Sequence, residues 1–381
     1  MIFRILEDQF AQKSQASKEA DRRFMQLALT LGRRGQGRTS PNPAVGAVVV
    51  KDGVIVGRGW TQPGGRPHAE PEALGRAGEA ARGATLYVTL EPCSHFGKSP
   101  PCADAIIAAG IARVVASMED PNPDVAGQGF ARLRAAGIAV DIGLAAAEAT
   151  HDHAGHIRRI RDKRPHVILK LALSADDKIA AAGSKPVTIT GEAARTRVHL
   201  LRAQSDAILV GIGTVQADDP LLTCRLPGME ARSPVRVVLD RALRIQGGSR
   251  LVHSARQTPL WVMTSETSEA ATAARLGAAG AQVLRVPSTP AGLDLSAVLR
   301  ALSDKGITRL MVEGGARVAS SFVAAGLVDE IWLLRGPDTI AADGVAALGA
   351  TPLSAITQSR SFKVRASETL GNDTLTVFER A

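Results

Sequence analysis

Hydrophobic and polar positions along this chain follow two periods that alternate. Residues 24–37, FMQLALTLGRRGQG, repeat apolar side chains at helical spacing and end in Gly-rich sequence, which predicts a helix. Residues 44–59, AVGAVVVKDGVIVGRG, are two β-rich runs around Asp52-Gly53, which predicts a hairpin. HAEPEALGRAGE reads as a helix and ATLYVTLEPC as a buried strand. ADAIIAAGI, RVVASMED, GFARLRAAG and IAVDIGL continue as helix, strand, helix, strand. Such alternation gives a largely parallel sheet between helices. Beyond residue 165 a second α/β series begins. Its strands include VILKLAL, AILVG, VRVVLD, PLWVMT, RLMVEGG and EIWLLRG, and its helices EAARTRVHLLRAQ and ARVASSFVAAG.

Residues 151–165, HDHAGHIRRIRDKRP, separate the two series, are polar and end in proline. They read as a linker, so four parts are expected: an N-terminal extension over 1–20, a first domain over 21–150, the linker, and a second domain over 166–381. The linker's His151, His153 and His156 imitate a metal site but lack a fixed periodic framework. At 381 residues, 45% hydrophobic and 22% charged, the chain can bury a sizeable core in each half. Three cysteines are too few for a disulfide framework. No apolar run reaches the ~18 residues of a transmembrane helix. The first residues carry acids where a signal peptide needs an apolar core, so a cytoplasmic protein without membrane contact is expected. The net charge of +9 suits nucleic acid or an anionic small molecule. Aromatics make up 3%, so base-stacking platforms are scarce. The densest basic run, Arg158 to Arg164, reads as a solvated connector.

His68-Ala69-Glu70 opens one predicted helix, and Pro92-Cys93 follows a predicted strand, with Cys102 nine positions on. Two thiolates and one imidazole form a three-ligand zinc set with the fourth tetrahedral position open to water. Zinc brings that water's proton loss towards pH ~7. A carboxylate must then move protons, and Glu70 can reach the water without ligating the metal. One zinc per chain is expected. A closed structural site is the alternative, with His95 as a fourth ligand.

The set resembles the cytidine-deaminase-like superfamily. Nucleoside and nucleic-acid deaminases of that type usually show Pro-Cys-x-x-Cys. The longer Cys93–Cys102 loop, with Pro41-Asn42-Pro43-Ala44-Val45-Gly46 upstream, looks like the deaminase half of the bifunctional riboflavin biosynthesis deaminase–reductase family. The resemblance implies an α/β/α sandwich and a pyrimidine substrate carrying a ribose phosphate. Asn42 matches the base-contacting residue, and His95 and Lys98 match positions that hold the sugar phosphate. Lys98 offers a phosphate a point charge.

In the second half, Gly211-Ile-Gly213-Thr214 follows the strand AILVG, and Glu313-Gly314-Gly315 joins RLMV to a helix. Glycine allows close backbone approach, and a helix N-terminus favours an anion. Neither stretch is the Rossmann fingerprint. With Lys170-Leu-Ala-Leu-Ser174 and Leu201-Arg202, they resemble the riboflavin-type reductase domain, similar in fold to dihydrofolate reductase and dependent on NADPH. That resemblance puts Ala172, Thr188, Thr214, Asp218, Arg241 and the run Gly315, Ala316, Arg317, Val318, Ala319, Ser320, Ser321 at cofactor positions. It puts Arg202, Leu222, Arg225, Glu313 and Lys170 at substrate positions. A guanidinium fork matches phosphate oxygens, so Arg202 and Arg225 suit that group. There are departures. Ala175-Asp176-Asp177 stands where the family reads Leu-Asp-Gly, and Pro186-Val187-Thr188 where some members read Ser-x-Trp.

The fold class expected is α/β: a deaminase-like sandwich followed by a dihydrofolate-reductase-like domain. The function expected is deamination of 2,5-diamino-6-(5-phosphoribosylamino)pyrimidin-4-one, then NADPH-dependent reduction of the ribosyl chain to ribityl. A phosphorylated pyrimidine is the expected partner, with no nucleic acid, and a homo-oligomer (dimer or tetramer) is expected. The alternative is a nucleic-acid or nucleoside deaminase with an accessory C-terminal domain. That alternative explains the zinc motif and the charge but neither the long cysteine loop nor the two Gly-rich turns.

Overall fold

The computed structural model describes residues 2–97, 99–182, 187–340 and 343–381, with side chains from residue 15 onward except residue 16. The chain forms two compact units, Met1–Asp162 and Lys163–Ala381. Both are mixed α/β, as the periodicity predicts.

The first unit is built on a five-stranded sheet. Its strands are β1 (Gly46–Lys51), β2 (Val54–Trp60), β3 (Thr85–Val88), β4 (Arg113–Ala116) and β5 (Ala139–Ile142). They lie in the order β2-β1-β3-β4-β5. β1 pairs antiparallel with β2 and β3, while β3, β4 and β5 are parallel. The predicted hairpin is present: Asp52 and Gly53 both take left-handed backbone, with φ of 51° and 78°. Helices α1 (Ile2–Arg33), α2 (Ala69–Ala77), α3 (Cys102–Ala108), α4 (Gln128–Ala135), α5 (Ala146–Asp152) and α6 (Ala154–Asp162) complete the unit. One buried cluster joins Val49, Leu86 and Val114 to Ala73, Ile106 and Leu133, and a second joins Met25 and Leu29 to Val48 and Tyr87.

Two boundaries differ from the sequence reading. Helix α1 runs unbroken from residue 2 past residue 20, so the expected extension is helix continuous with the first domain. Just beyond it, Asp21 bonds Arg113 at 2.8 Å and the Tyr87 hydroxyl at 2.5 Å. The stretch 151–165 is mostly helical and lies largely in the first unit. Arg33 pairs with Asp152 at 2.8 Å, and Gln26 donates to Glu148 at 2.9 Å. His153 is buried, with Nε2 3.1 Å from Thr89 Oγ1, so it is a packing residue and not a linker histidine. High polarity reads as a connector, yet here it gives the outer faces of two helices, including the i,i+4 pair Arg158–Asp162.

The second unit holds a nine-stranded sheet. Its strands are β6 (His166–Leu173), β7 (Ala207–Gly211), β8 (Val235–Leu239), β9 (Leu260–Ser265), β10 (Gln282–Val286), β11 (Arg309–Val312), β12 (Glu330–Arg335), β13 (Phe362–Leu370) and β14 (Asp373–Arg380). The order is β10-β9-β8-β7-β11-β6-β12-β14-β13. Strands β10 through β12 in that order are parallel, and β14 and β13 are antiparallel. Helices α7 (Glu192–Ala203), α8 (Ile212–Asp218), α9 (Ala270–Ala278), α10 (Leu295–Asp304) and α11 (Ala316–Ala324) connect them. Both faces of the sheet are covered by buried clusters, one centred on Leu169, Leu209 and Phe322, the other on Ile168, Ile208 and Leu334. Interior strands buried on both faces read as unbroken apolar runs, which is why VILKLAL and AILVG stand out.

The fold places helix α2 hard against β2. A Cβ at Gly59 would lie 2.2 Å from Ala69 O, and one at Gly57 would lie 2.1 Å from Ala73 O. Gly59→Ala is therefore expected to destabilise the first unit by about 1–3 kcal/mol, the usual cost of overpacking. Gly75 sits on the open side of the same helix, with nothing within 4 Å of its Cβ. Gly75→Ala should stabilise by roughly 0.5–1 kcal/mol through helix propensity. Chemical denaturation of both variants checks the pair; shifts of the same sign would contradict the packing described.

Candidate functional sites

In the first unit two helix starts and one loop converge. His68 is the residue before α2, and Cys102 is the first residue of α3. Neither helix start has a side-chain cap. A backbone N–H at a helix start favours negative charge, and that of Cys102 is turned to a cysteine sulfur. His68 Nδ1 is 3.3 Å from Cys102 Sγ and 3.8 Å from Cys93 Sγ. The Cys102 N–H donates to Cys93 Sγ at 3.3 Å. The ligand atoms of His68, Cys93 and Cys102 all lie within 4.8 Å of one another. One imidazole and two thiols at that spacing fit a zinc ion. Among the described residues no fourth protein ligand joins the group, and His95 is exposed in the loop outside it. The structure therefore does not support the closed site.

Glu70 lies in the first turn of α2 and is 3% exposed. Burial, reinforced by the charge of Cys93, pushes its carboxyl up to about 7. Hydrogen bonding to Cys102 and His68 pulls the Cys93 thiol down to about 4 and lifts Cys102 and His68 in turn. Asn42 is beside the histidine: its Nδ2 donates to Gly65 O at 2.8 Å and is 3.5 Å from His68 Nε2. Lys98 lies outside the described residues.

Sequence reasoning missed Glu91. Its buried carboxylate accepts from the N–H groups of Asp120, Gly127, Gly129 and Phe130 at 2.8–3.3 Å. It anchors the segment that presents Cys93. Its place two residues before Cys93 was the available signal.

In the second unit a cleft of about 1790 Å³ opens beyond the carboxyl ends of β7, β8 and β11. β7 and β11 are neighbours from which the chain winds towards opposite edges, the usual place for a ligand crevice in such sheets. Lys170 and Ala172 reach the cleft from one face of β6; Thr188, Thr214, Asp218, Arg241 and Arg225 also line it. Helix α11 starts at Gly315 with no side-chain cap. Its Gly315 position is open, the nearest atom to a Cβ there being Thr214 Oγ1 at 3.7 Å. By contrast, Val318 packs close against Gly211 and Gly314. Free N–H groups beside an open glycine fit the pyrophosphate of a dinucleotide.

Three of the positions named from resemblance fall elsewhere. Ala319 is fully buried in the core, and Ser320 does not line the cleft. A helix turns 100° per residue, so the run 315–321 cannot all face one ligand; Ala316, Arg317, Val318 and Ser321 do. Leu222 is buried and lines a smaller adjoining cavity. The departure at Asp177 is conservative in conformation. Asp177 holds φ 64°, as a glycine would, pairs with Arg335 at 2.6 Å and does not line the cleft. Pro186 lies outside the described residues, and Thr188 lines the cleft.

Glu313 at the end of β11 ties the site together. Its Oε1 is 3.2 Å from Lys170 Nζ, and its Oε2 accepts from Arg202 Nη2 and Nε at 2.7 and 3.1 Å. Arg202 Nη1 donates to Thr223 O at 3.2 Å. Burial raises the Glu313 carboxyl, but Lys170 and Arg202 outweigh it and hold the group at about 2. His199 was also missed. It lines the cleft from α7, its Nδ1 accepts the Arg225 N–H at 3.3 Å, and burial with the nearby arginines holds it at about 4. Arg195, His199 and Arg202 stand at i, i+4 and i+7, a stripe readable in the sequence.

Residues 165–376 match the family described as the RibD C-terminal domain, and residues 18–118 match the cytidine and deoxycytidylate deaminase zinc-binding region. A riboflavin biosynthesis protein RibD from Aquifex aeolicus (strain VF5) is 42% identical over 363 residues, covering 95% of this chain and 99% of its own. That of Escherichia coli (strain K12) is 42% identical over 364 residues, covering 93% and 97%. Among solved structures, Acinetobacter baumannii RibD superposes with a TM-score of 0.84 at 35% identity, covering 96% of this chain and 99% of that one. The deaminase/reductase of Thermotoga maritima gives 0.83 at 34% identity, covering 96% and 100%.

The ion pairs of Glu313 make a pH prediction. A carboxyl lowered on folding adds stability that is complete above its usual range near 4.5 and is lost as pH falls through about 2. The stability lost in Glu313→Gln should therefore be constant above about pH 5 and shrink towards pH 2. Thermal unfolding of both proteins from pH 2 to 7 measures it; a difference that grows on acidification would be incompatible with this ion-pair arrangement.

Proposed function

The chain belongs to the RibD family of riboflavin biosynthesis proteins, and from that premise we propose how its residues divide the work. It is a bifunctional enzyme of riboflavin biosynthesis, a zinc-dependent deaminase and a reductase that uses a nicotinamide cofactor. Deamination is assigned to Met1–Asp162 and reduction to Lys163–Ala381. The substrate of the first is 2,5-diamino-6-(5-phosphoribosylamino)pyrimidin-4-one. The second reduces the ribosyl chain of 5-amino-6-(5-phosphoribosylamino)uracil to ribityl. The observation that carries the deaminase assignment is the buried Glu70 beside a three-ligand group.

His68, Cys93 and Cys102 would hold a zinc ion, whose Lewis acidity would make water a nucleophile at neutral pH. Glu70 takes a proton from the attacking water and gives it to the ring nitrogen. It then carries a second proton to the amine as the C–N bond breaks and ammonia leaves. Asn42 orients the base; His95 and Lys98 hold the sugar phosphate.

In the reductase unit the nicotinamide supplies the hydride. Gly315 and the first turn of α11 hold the cofactor's phosphates, with Thr214 and Asp218 alongside. Arg241, with Arg244 on the same cleft wall, takes the extra phosphate that favours NADPH over NADH. Lys170 and Glu313 bind the ribose, and Arg202 and Arg225 the phosphate. One zinc per chain, a homo-oligomer and a cytoplasmic location belong to the same reading, the last supported by the low cysteine content. No helix among the described residues is long and apolar enough to cross a membrane.

The test is NADPH oxidation by zinc-loaded protein. With the diamino substrate, Glu70→Gln should slow the coupled reaction by about 10²–10⁴-fold while zinc content stays at the wild-type level. Supplying the deaminated intermediate should restore the wild-type rate. Normal turnover in the variant would remove Glu70 from the mechanism. Silence of wild type with the intermediate would remove the reductase assignment.

A further inference from the structure

The geometry points to Arg250 as a further substrate-binding residue of the reductase, one that pairs with Arg225 to hold the ribose phosphate as its dianion. This rests on the reading above that the phosphate lies at Arg202 and Arg225. A cavity of about 370 Å³ is lined by Arg202, Arg225 and Arg250 together with Pro220, Leu221 and Leu222. Arg202 and Arg225 also line the large cleft, whereas Arg250 lines only the small one. The small cavity is therefore a side chamber at one end of the substrate site. Arg241 and Arg244, by contrast, line the large cleft.

Charge bookkeeping separates the three guanidinium groups. Arg202 is already committed to Glu313 at 2.7 and 3.1 Å and to Thr223 O. Arg225 makes no ion pair within 4.0 Å with a described residue, and neither does Arg250. Asp219 Oδ1 accepts the Arg250 backbone N–H at 2.9 Å and makes no ion pair with its guanidinium. The Arg250 guanidinium itself has one long bond, from Nη1 to Asp219 O at 3.5 Å. The crowding is felt at Arg225, whose proton is held less firmly than usual because of burial, then Arg202, then Arg250.

Like charges left together without a counter-ion cost free energy in the free protein. A phosphate monoester carries nearly two negative charges at pH 7, so two unpaired guanidinium groups match it. Pro220, Leu221 and Leu222 line the same cavity. Asp219 and Leu222 hold φ of 38° and 57°, and a leucine takes that conformation only at a cost. Arg225 is fixed by its own N–H bond to His199, so the two arginines approach from separate elements.

The test compares 5-amino-6-(5-phosphoribosylamino)uracil with its dephosphorylated counterpart. Steady-state reduction is measured with wild type, Arg250→Gln and Arg250→Lys. Arg250→Gln should raise KM for the phosphorylated compound about tenfold, as expected for one lost charge-assisted contact, with kcat within about twofold. It should leave kcat/KM for the dephosphorylated compound unchanged. Arg250→Lys should fall between, because it keeps the charge and loses the fork. Inorganic phosphate should inhibit wild type competitively, and Arg250→Gln more weakly by the same factor. Unchanged NADPH binding and thermal midpoint show that each variant is folded. Equal losses on both substrates, or no loss on either, would overturn the role of Arg250. If wild type itself ignores the phosphate and inorganic phosphate does not inhibit, the phosphate site at Arg202 and Arg225 falls as well.

Discussion

A helix that begins without a side-chain cap leaves several backbone N–H groups unpaired, and both functional centres of this chain are built on such starts. Helix α2 opens after His68, α3 opens at Cys102, and α11 opens after Gly315, all without side-chain caps. An uncapped start is a liability in a purely structural helix. Here the start of α3 gives its first N–H to the Cys93 sulfur, and that of α11 lies at the phosphates assigned to the cofactor. The remaining architecture keeps those starts in place. Gly57 and Gly59 let α2 settle onto the sheet, Glu91 gathers four N–H groups under the Cys93 segment, and Val318 seats α11 between two glycine turns.

The same economy governs charge. Part of the positive charge behind the net +9 is matched locally. Lys170 and Arg202 share one carboxylate, Arg113 bridges Asp21 and Asp141, and Arg164 pairs with Asp329. Some of the remaining arginines, Arg225, Arg241 and Arg244, line the large cleft, where an anion can use them. A buried ion pair seldom raises stability over an apolar pair of the same size. The Glu313 cluster is better understood as fixing the direction of two cations than as holding the unit together.

Where local rules and global packing agree, the sequence was legible. The Asp52-Gly53 turn needs two left-handed residues, and few dipeptides supply them. His68, Cys93 and Cys102 were legible because ligand chemistry restricts residue type as strongly as spacing. Where context decides, it was not. Strand β13 is almost wholly exposed, and its alternation of Phe362, Val364 and Ala366 stops halfway along. The stretch 151–165 is mostly helix α6, and the helix before it, α5, is tied to α1 by partners 119 and 122 residues away, which no local window contains. Ala319 and Ser320 were assigned to a ligand by continuity of a motif, and helical rotation took them off it. Asp177 shows the opposite case: a residue unlike the family's glycine that adopts the glycine's conformation, with Arg335 holding it.

A two-step enzyme that carries one phosphorylated compound through both reactions faces a limit on what the phosphate can do. The group is identical before and after deamination, so binding it adds affinity at either site without telling substrate from product. Discrimination must come from the ring, where an amine becomes a carbonyl and a donor becomes an acceptor. In the deaminase unit Asn42 and Glu70 stand at that edge by assignment, both close to His68, so recognition and chemistry share residues. In the reductase unit the bond that changes lies on the sugar, between the ring and the phosphate. On the proposed assignment, the guanidinium groups at one end and the uncapped turn of α11 at the cofactor side are two fixed points. Binding energy from groups that do not react can be used to align the group that does, which is the general route by which remote contacts raise kcat. Rigid, prepaid charge at Arg202 and Glu313 fits that role, since a site that had to assemble its own ion pairs on binding would lose part of that energy to ordering.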